Sequence, residues 1–234
     1  MAFDSRTFKT RALTSIVFVI IMLVGLLWNQ WSFVILFTII HFGCWYEFIK
    51  LVKKINPFSY RRLSFWGLFY ITIPIILLLF MRLKNYADVD DNFLKIIPCV
   101  IIFSLWINDT MAYIVGSFIG KTPLSKISPK KTWEGTIGGI VISIFLVGFF
   151  IIPIIYGNLA LDIIYPVEKF HWYLIAAIAA IFGTLGDLLE SKLKRMANIK
   201  DSGTLMPGHG GFLDRFDSLL IATPFIALYY FLLM

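Results

Sequence analysis

The residues whose types and spacing could do chemistry lie late in the chain. Gly183, Asp187, Glu190, Ser191 and Lys194 fall at i, i+4, i+7, i+8 and i+11. That spacing is one face of a helix, so a single stripe carries two carboxylates, a hydroxyl and an amine. Asp214 and Asp217 stand three apart, with Ser218 four beyond Asp214, so at the head of a helix both acids can face one point. They follow His209-Gly210-Gly211, where glycines let backbone N–H groups and a helix N-terminus come close to an anion. Around the two groups stand Lys192, Arg195, Lys200 and Arg215. Acids of this kind can hold Mg²⁺, or another divalent cation, through oxygen ligands, while lysines and arginines take the phosphates of a nucleotide.

The elements that position these groups are membrane spans. With 59% hydrophobic and only 15% charged residues, the composition excludes an ordinary soluble domain. Apolar windows long enough to cross a hydrocarbon core of about 30 Å run over 12–28, 31–49, 63–81, 95–119, 136–156, 172–189 and 216–234. Lipid offers backbone polar groups no partners, so the fold class is all-α: a polytopic transmembrane helical bundle. It has seven spans, or eight or nine if Pro98 breaks the fourth window or others divide. The links are too short for a separate soluble domain, so 1–234 reads as one integral membrane domain, with N-terminal spans in 1–107 and catalytic spans and loops in 108–234. Seventeen of the 21 lysines and arginines fall before span one or in the links between spans two and three, four and five, and six and seven. The positive-inside rule then puts the N-terminus and those links in the cytoplasm. Trp28, Asn29, Gln30 and Trp31 offer no small-residue cleavage site after the first span, which reads as retained. Cys44 and Cys99 lack metal-type spacing and read as buried thiols.

Depth in the bilayer separates functional charges from topological ones. Counted inward from Lys95, Asp109 lies about 21 Å along the fourth span; counted from Trp172, Asp187 lies about 22 Å along the sixth. Both reach the cytoplasmic third of the membrane, where a lone carboxylate costs several kcal/mol unless it is paired, protonated or hydrated. A helix-to-helix hydrogen bond is the plain alternative for each. The Gly116/Gly120 and Gly135/Gly139 pairs read as places of close helix approach. An ion-coupled membrane transporter would also carry intramembrane acids, but near the midplane of a repeated, broken-helix architecture.

Three stretches resemble the phosphatidate cytidylyltransferase (CDP-diacylglycerol synthase) family. The first is Ser191-x-Leu193-Lys194-Arg195, then Lys200-Asp201-x-Gly203, then Pro207-x-His209-Gly210-Gly211-Phe212-x-Asp214-Arg215-Phe216-Asp217. The second is NDTMAYIVGSFIGKTPL, which holds Asp109, and the third is ISPKKTWEGTIGG, residues 127 to 139. Met206 and Met111 depart from the family's usual residues and stay apolar. The resemblance implies transfer of a cytidylyl group from CTP to phosphatidic acid, with a divalent cation, giving CDP-diacylglycerol and pyrophosphate. It implies Asp187, Asp214 and Asp217 as the metal-binding and catalytic acids, with Lys194 and Arg195 beside them. It implies Asp109, Ser128, Lys130, Lys131, Thr132, Glu134, Ser191, Lys200, Asp201, His209, Gly210, Gly211 and Arg215 as substrate-binding residues. Glu134 remains open between positioning Lys131, approaching the metal, and stabilising the start of the fifth span as a helix N-terminal carboxylate. His209 reads as a turn or phosphate-contact residue. A homodimer in the bacterial inner membrane, its site facing the cytoplasm and membrane lipid around it, is the implied setting. No nucleic-acid partner is expected. A kinase of a long-chain lipid alcohol is the nearest enzymatic alternative.

Overall fold

The computed structural model describes residues 5–83, 91–154, 169–203 and 210–233, and among them the regular elements are helices, with no strand beyond an isolated bridge between Pro123 and Thr132. Among the described residues six segments are long and apolar enough to cross a membrane: Gln30–Ile55, Tyr60–Leu83, Leu94–Ile119, Trp133–Ile154, Phe170–Met196 and Leu213–Leu233. A shorter apolar stretch, Leu13–Leu27, lies in the window expected for the first span. The fourth window forms one helix. Pro98 lies in its second turn, where it removes a single backbone hydrogen bond without dividing the helix.

The chain divides into two compact units, Met1–Thr72 with Leu193–Phe216 and Ile73–Lys192 with Asp217–Met234. The first unit contains α1 (Ser5–Leu27), α2 (Gln30–Ile55) and α3 (Tyr60–Ser64). A two-residue link joins α1 to α2 because Asn29 makes a capping box: its Oδ1 accepts the Ser32 N–H (2.8 Å), and Ser32 Oγ accepts the Asn29 N–H (3.1 Å). Met22 and Leu26 of α1, and Phe33, Phe37, Ile40 and Cys44 of α2, are buried in this unit. Lys53 and Lys54 lie in the last turn of α2, where cations suit the negative helix end. Asn56 Oδ1 then accepts the N–H groups of Phe58 and Ser59 (3.1 and 3.0 Å) and turns the chain.

The second unit contains α4 (Ile73–Leu83), α5 (Asp91–Ile119), α6 (Trp133–Leu146), most of α7 (Lys169–Met196) and most of α8 (Leu213–Leu233). Lipid tails are as apolar as leucine, so helices in a bilayer associate through close packing and hydrogen bonds more than through water exclusion. The α5–α6 seam follows that rule. A Cβ on Gly139 would stand 2.8 Å from both Ala112 Cβ and the Asn108 carbonyl oxygen, and one on Gly135 would stand 2.9 Å from Gly116 Cα. Ser143 Oγ donates to the Ser104 carbonyl (3.0 Å) along the same seam, a bond contributing about 1 kcal/mol. Helix α7 meets α5 where Asn108 Nδ2 donates to Thr184 Oγ1 (3.4 Å). Phe182 of α7 stacks on Phe225 of α8 with ring centroids 3.6 Å apart.

Candidate active site

In the second unit the chemistry begins in the loop between α5 and α6, which hydrogen bonds close at both ends. The Trp133 N–H donates to the Thr122 carbonyl (3.0 Å) and the Leu124 N–H to the Lys131 carbonyl (2.7 Å). The Lys131 N–H donates to the Ser128 carbonyl (3.1 Å), making the Ser128-Pro129-Lys130-Lys131 corner. Thr132 caps α6, its Oγ1 accepting the Gly135 N–H (3.1 Å). Glu134, in the first turn of α6, accepts the N–H groups of Lys121 (3.1 Å) and Thr122 (3.2 Å). Of the three roles open to it in the sequence, the structure places Glu134 on the backbone of the loop that carries Lys131. Lys130 is exposed and Ser128 half-buried.

The loop brings Lys131 to α7, where its ammonium pairs with Asp187. Ser191, one turn further along α7, donates to Asp187 Oδ1 (3.3 Å), as the i, i+4 spacing requires. Asp217 is buried, and its Oδ1 accepts the Ser218 N–H (2.7 Å). Close approach of α7 and α8 produces that burial: a Cβ on Gly186 would lie 2.9 Å from Ser218 Cα. Asp187, Asp109 and Lys131 all lie within electrostatic reach of the Asp217 carboxylate, the two acids repelling it and the lysine attracting it. Asp109 itself is exposed, whereas Glu190 of the same α7 stripe is fully buried. The donors are carboxylate oxygens, the kind a hard divalent cation takes. Among the described residues no three His, Cys, Asp or Glu side chains are already gathered around one point. The donor type thus suits a hard cation while the described acids are not gathered as a ligand set, and the Lys131 ammonium supplies the positive charge at Asp187.

The first unit holds a second carboxylate–ammonium pair. Lys194 Nζ donates to Asp214 Oδ1 at 2.7 Å, with side chains 15% and 8% exposed. Asp214 Oδ2 accepts from the Ser202 N–H (2.8 Å) and the Gly211 N–H (2.8 Å), and the Ser202 hydroxyl oxygen stands 2.9 Å from it. Gly210 takes φ +84°, a backbone conformation that residues with a side chain rarely adopt. Arg195, Lys200, Asp201 and Arg215 are exposed, and His209 lies outside the described residues.

Two residues that the sequence reading passed over sit beside Asp214. Glu47 of α2 is 4% exposed. It accepts the Ser202 hydroxyl (2.7 Å), the Phe212 N–H (3.0 Å) and the Leu213 N–H (2.9 Å), so it caps α8 from another helix. Glu47 lies within the apolar window 31–49, and the depth argument that singled out Asp109 and Asp187 applies to it equally. Ser202 occupies the variable place between Lys200-Asp201 and Gly203, and no spacing signal marks it.

Comparison with known proteins adds the following. Residues 58–233 match the model of a family described as the Cytidylyltransferase family. The chain is similar to the phosphatidate cytidylyltransferase of Bacillus subtilis, at 40% identity over 184 residues, which cover 78% of this chain and 62% of that protein. It is 35% identical over 225 residues to the phosphatidate cytidylyltransferase of Rickettsia felis, covering 96% of this chain and 92% of that protein. The phosphatidate cytidylyltransferase of Haemophilus influenzae is 36% identical over 156 residues, 66% of this chain and 52% of that one.

Proposed function

Because this chain belongs to the cytidylyltransferase family, we propose that it transfers a cytidylyl group from CTP to phosphatidic acid in phospholipid biosynthesis. A phosphate oxygen of the lipid forms a bond to the α-phosphorus of CTP, the bond from that phosphorus to the β-phosphate oxygen breaks, and pyrophosphate leaves as CDP-diacylglycerol forms. The attacking oxygen is already an anion at neutral pH, so no strong general base is required. What the reaction needs is orientation of two polyanions and compensation of the charge that builds between them.

The observation that carries this reading is a pair of carboxylate–ammonium contacts in the two motif-bearing regions, Lys131 with Asp187 and Lys194 with Asp214. Each of these two acids is paired with a lysine, and each lysine can turn toward a phosphate. Asp187, Asp214 and Asp217 are the residues that would hold a divalent cation such as Mg²⁺. When bound, that cation neutralises phosphate oxygens and favours departure of pyrophosphate. Arg195 stands with Lys194 beside these acids, and Lys130, Lys200, Asp201, His209, Arg215 and the Gly210-Gly211 turn are among the proposed substrate contacts. Phosphatidate stays in the leaflet while CTP comes from the cytosol, so the site belongs at the cytoplasmic boundary. The asymmetry of the basic residues supports that side and a cytoplasmic N-terminus. A homodimer in the bacterial inner membrane is the proposed setting.

The test is an assay of the detergent-purified protein with labelled CTP, phosphatidic acid and Mg²⁺, following CDP-diacylglycerol. Activity should require Mg²⁺ and vanish in Asp187→Ala and Asp214→Ala while both variants still elute as folded protein. Absence of cytidylyl transfer by the wild type would refute the reading, and transfer of the γ-phosphate to a lipid alcohol would point to the kinase.

A further inference from the structure

Glu47 lies outside the matched residues 58–233, on a helix that carries none of the motif stretches, yet it is tied by two hydrogen bonds to the turn that presents Asp214 and by a third to Ser202. Its Oε1 accepts the Phe212 N–H (3.0 Å) and its Oε2 accepts both the Leu213 N–H (2.9 Å) and the Ser202 hydroxyl (2.7 Å). The hydroxyl of Ser202 also stands 2.9 Å from Asp214 Oδ2, and its N–H donates to that same oxygen at 2.8 Å. One side chain thus fixes two separate stretches of chain, around Ser202 and at Gly211–Leu213, and these two stretches supply the backbone N–H donors of Ser202 and Gly211 on Asp214 Oδ2, while the one Ser202 hydroxyl proton lies between Glu47 Oε2 and Asp214 Oδ2. The glycines beside it fit the same purpose. A Cβ on either Gly203 or Gly211 would collide with the Glu47 carboxylate, so both positions leave room for the acid to approach the backbone.

A buried carboxylate is costly unless hydrogen-bonded, and a helix could be capped more cheaply by a local Ser or Asp. A cap alone would also not need the bond to Ser202. We propose that Glu47 is a positioning residue for Asp214: through Ser202 and the Gly211–Leu213 turn it fixes the orientation of the Asp214 carboxylate, so that Oδ2 is held by the protein and Oδ1 is turned toward Lys194 and the reacting groups. The role rests on the reading of Asp214 as a metal-binding acid.

Two variants separate positioning from simple capping. Glu47→Gln keeps the shape but places an NH₂ group against one of the two backbone N–H donors. Ser202→Ala removes only the hydroxyl link and leaves the bonds at Phe212 and Leu213 in place. The readout is Mn²⁺ binding to the full-length protein in detergent, followed by electron paramagnetic resonance, with Asp214→Asn as reference and the thermal midpoint as a check on folding. Both variants should weaken Mn²⁺ binding by about ten- to a hundred-fold, the usual loss when an outer-shell partner of a ligand is removed. The double variant should lose less than the two single effects combined, because the Ser202 link is common to both. A Ser202→Ala titration that superimposes on wild type while Asp214→Asn weakens binding overturns the proposal and leaves the proposed function standing. Additive effects in the double variant overturn it too. If Asp214→Asn itself binds Mn²⁺ like wild type, the metal-binding reading of Asp214 falls and takes this role with it.

Discussion

Lys131→Met tests how the α5–α6 loop contributes to turnover. Lys131 and Asp187 have side chains 28% and 29% exposed, so their pair is neither a surface contact nor a buried one. Exposed pairs contribute about 1 kcal/mol or less, and breaking a buried pair costs about 3–5 kcal/mol. Lying between these limits but nearer the exposed one, this pair should contribute about 1–2 kcal/mol to stability. The effect on catalysis should be larger, because a donor aimed at developing phosphate charge is worth about a hundred- to a thousand-fold in kcat. Methionine retains the length of the stem and removes the charge. The expected result is therefore a small drop in thermal midpoint with a loss in kcat/KM of about a hundred-fold. Lys130→Met removes the same formal charge from the next residue, which is exposed, and should act mainly through a modest rise in the KM for CTP. Lys131→Arg should recover part of the loss, since charge returns with a different donor geometry. If Lys131→Met turns over within about threefold of wild type, or if the two lysine variants are equally impaired, the contact with Asp187 does not matter for the reaction and the reasoning fails.

The remaining predictions concern packing and sidedness. Gly139→Ala forces a methyl to within 2.8 Å of Ala112 Cβ and the Asn108 carbonyl, so α5 and α6 must separate at a cost of about 1–3 kcal/mol. Gly138→Ala meets only the Val115 side chain, with Cγ1 at 2.6 Å, which can turn aside, so it should cost less than about 1 kcal/mol. Equal falls in melting temperature for the two variants would refute the view that backbone approach sets this seam. Lys200→Cys should resist a membrane-impermeant maleimide in intact cells and react in inverted vesicles. Native Cys44 and Cys99 are buried and should give little background; labelling of intact cells would overturn the cytoplasmic placement.

What could be read from the sequence was whatever depends on neighbours three or four residues apart. The α7 stripe shows this. Hydropathy ends the sixth window at 189, but the spacing of Asp187, Ser191 and Lys194 requires the helix to continue, and it does so to Met196. The Ser191–Asp187 bond and the close glycines of the α5–α6 seam follow from the same local periodicity. Glu134 marks the boundary of the method. A place at the start of a helix is one of three readings the sequence leaves open for it, but its partners are backbone N–H groups at Lys121 and Thr122, which only the folded loop brings near. Glu47 goes further. A carboxylate in an apolar window signals that some partner exists, yet its partners lie 155 to 166 residues away. Two of them are backbone N–H groups, which every residue but proline possesses and which therefore leave no trace in residue type. A motif records the side chains that meet the substrate. The side chain that holds the motif's backbone in place can come from any helix that packs there, and its sequence signature is no more than one acid where lipid would exclude it.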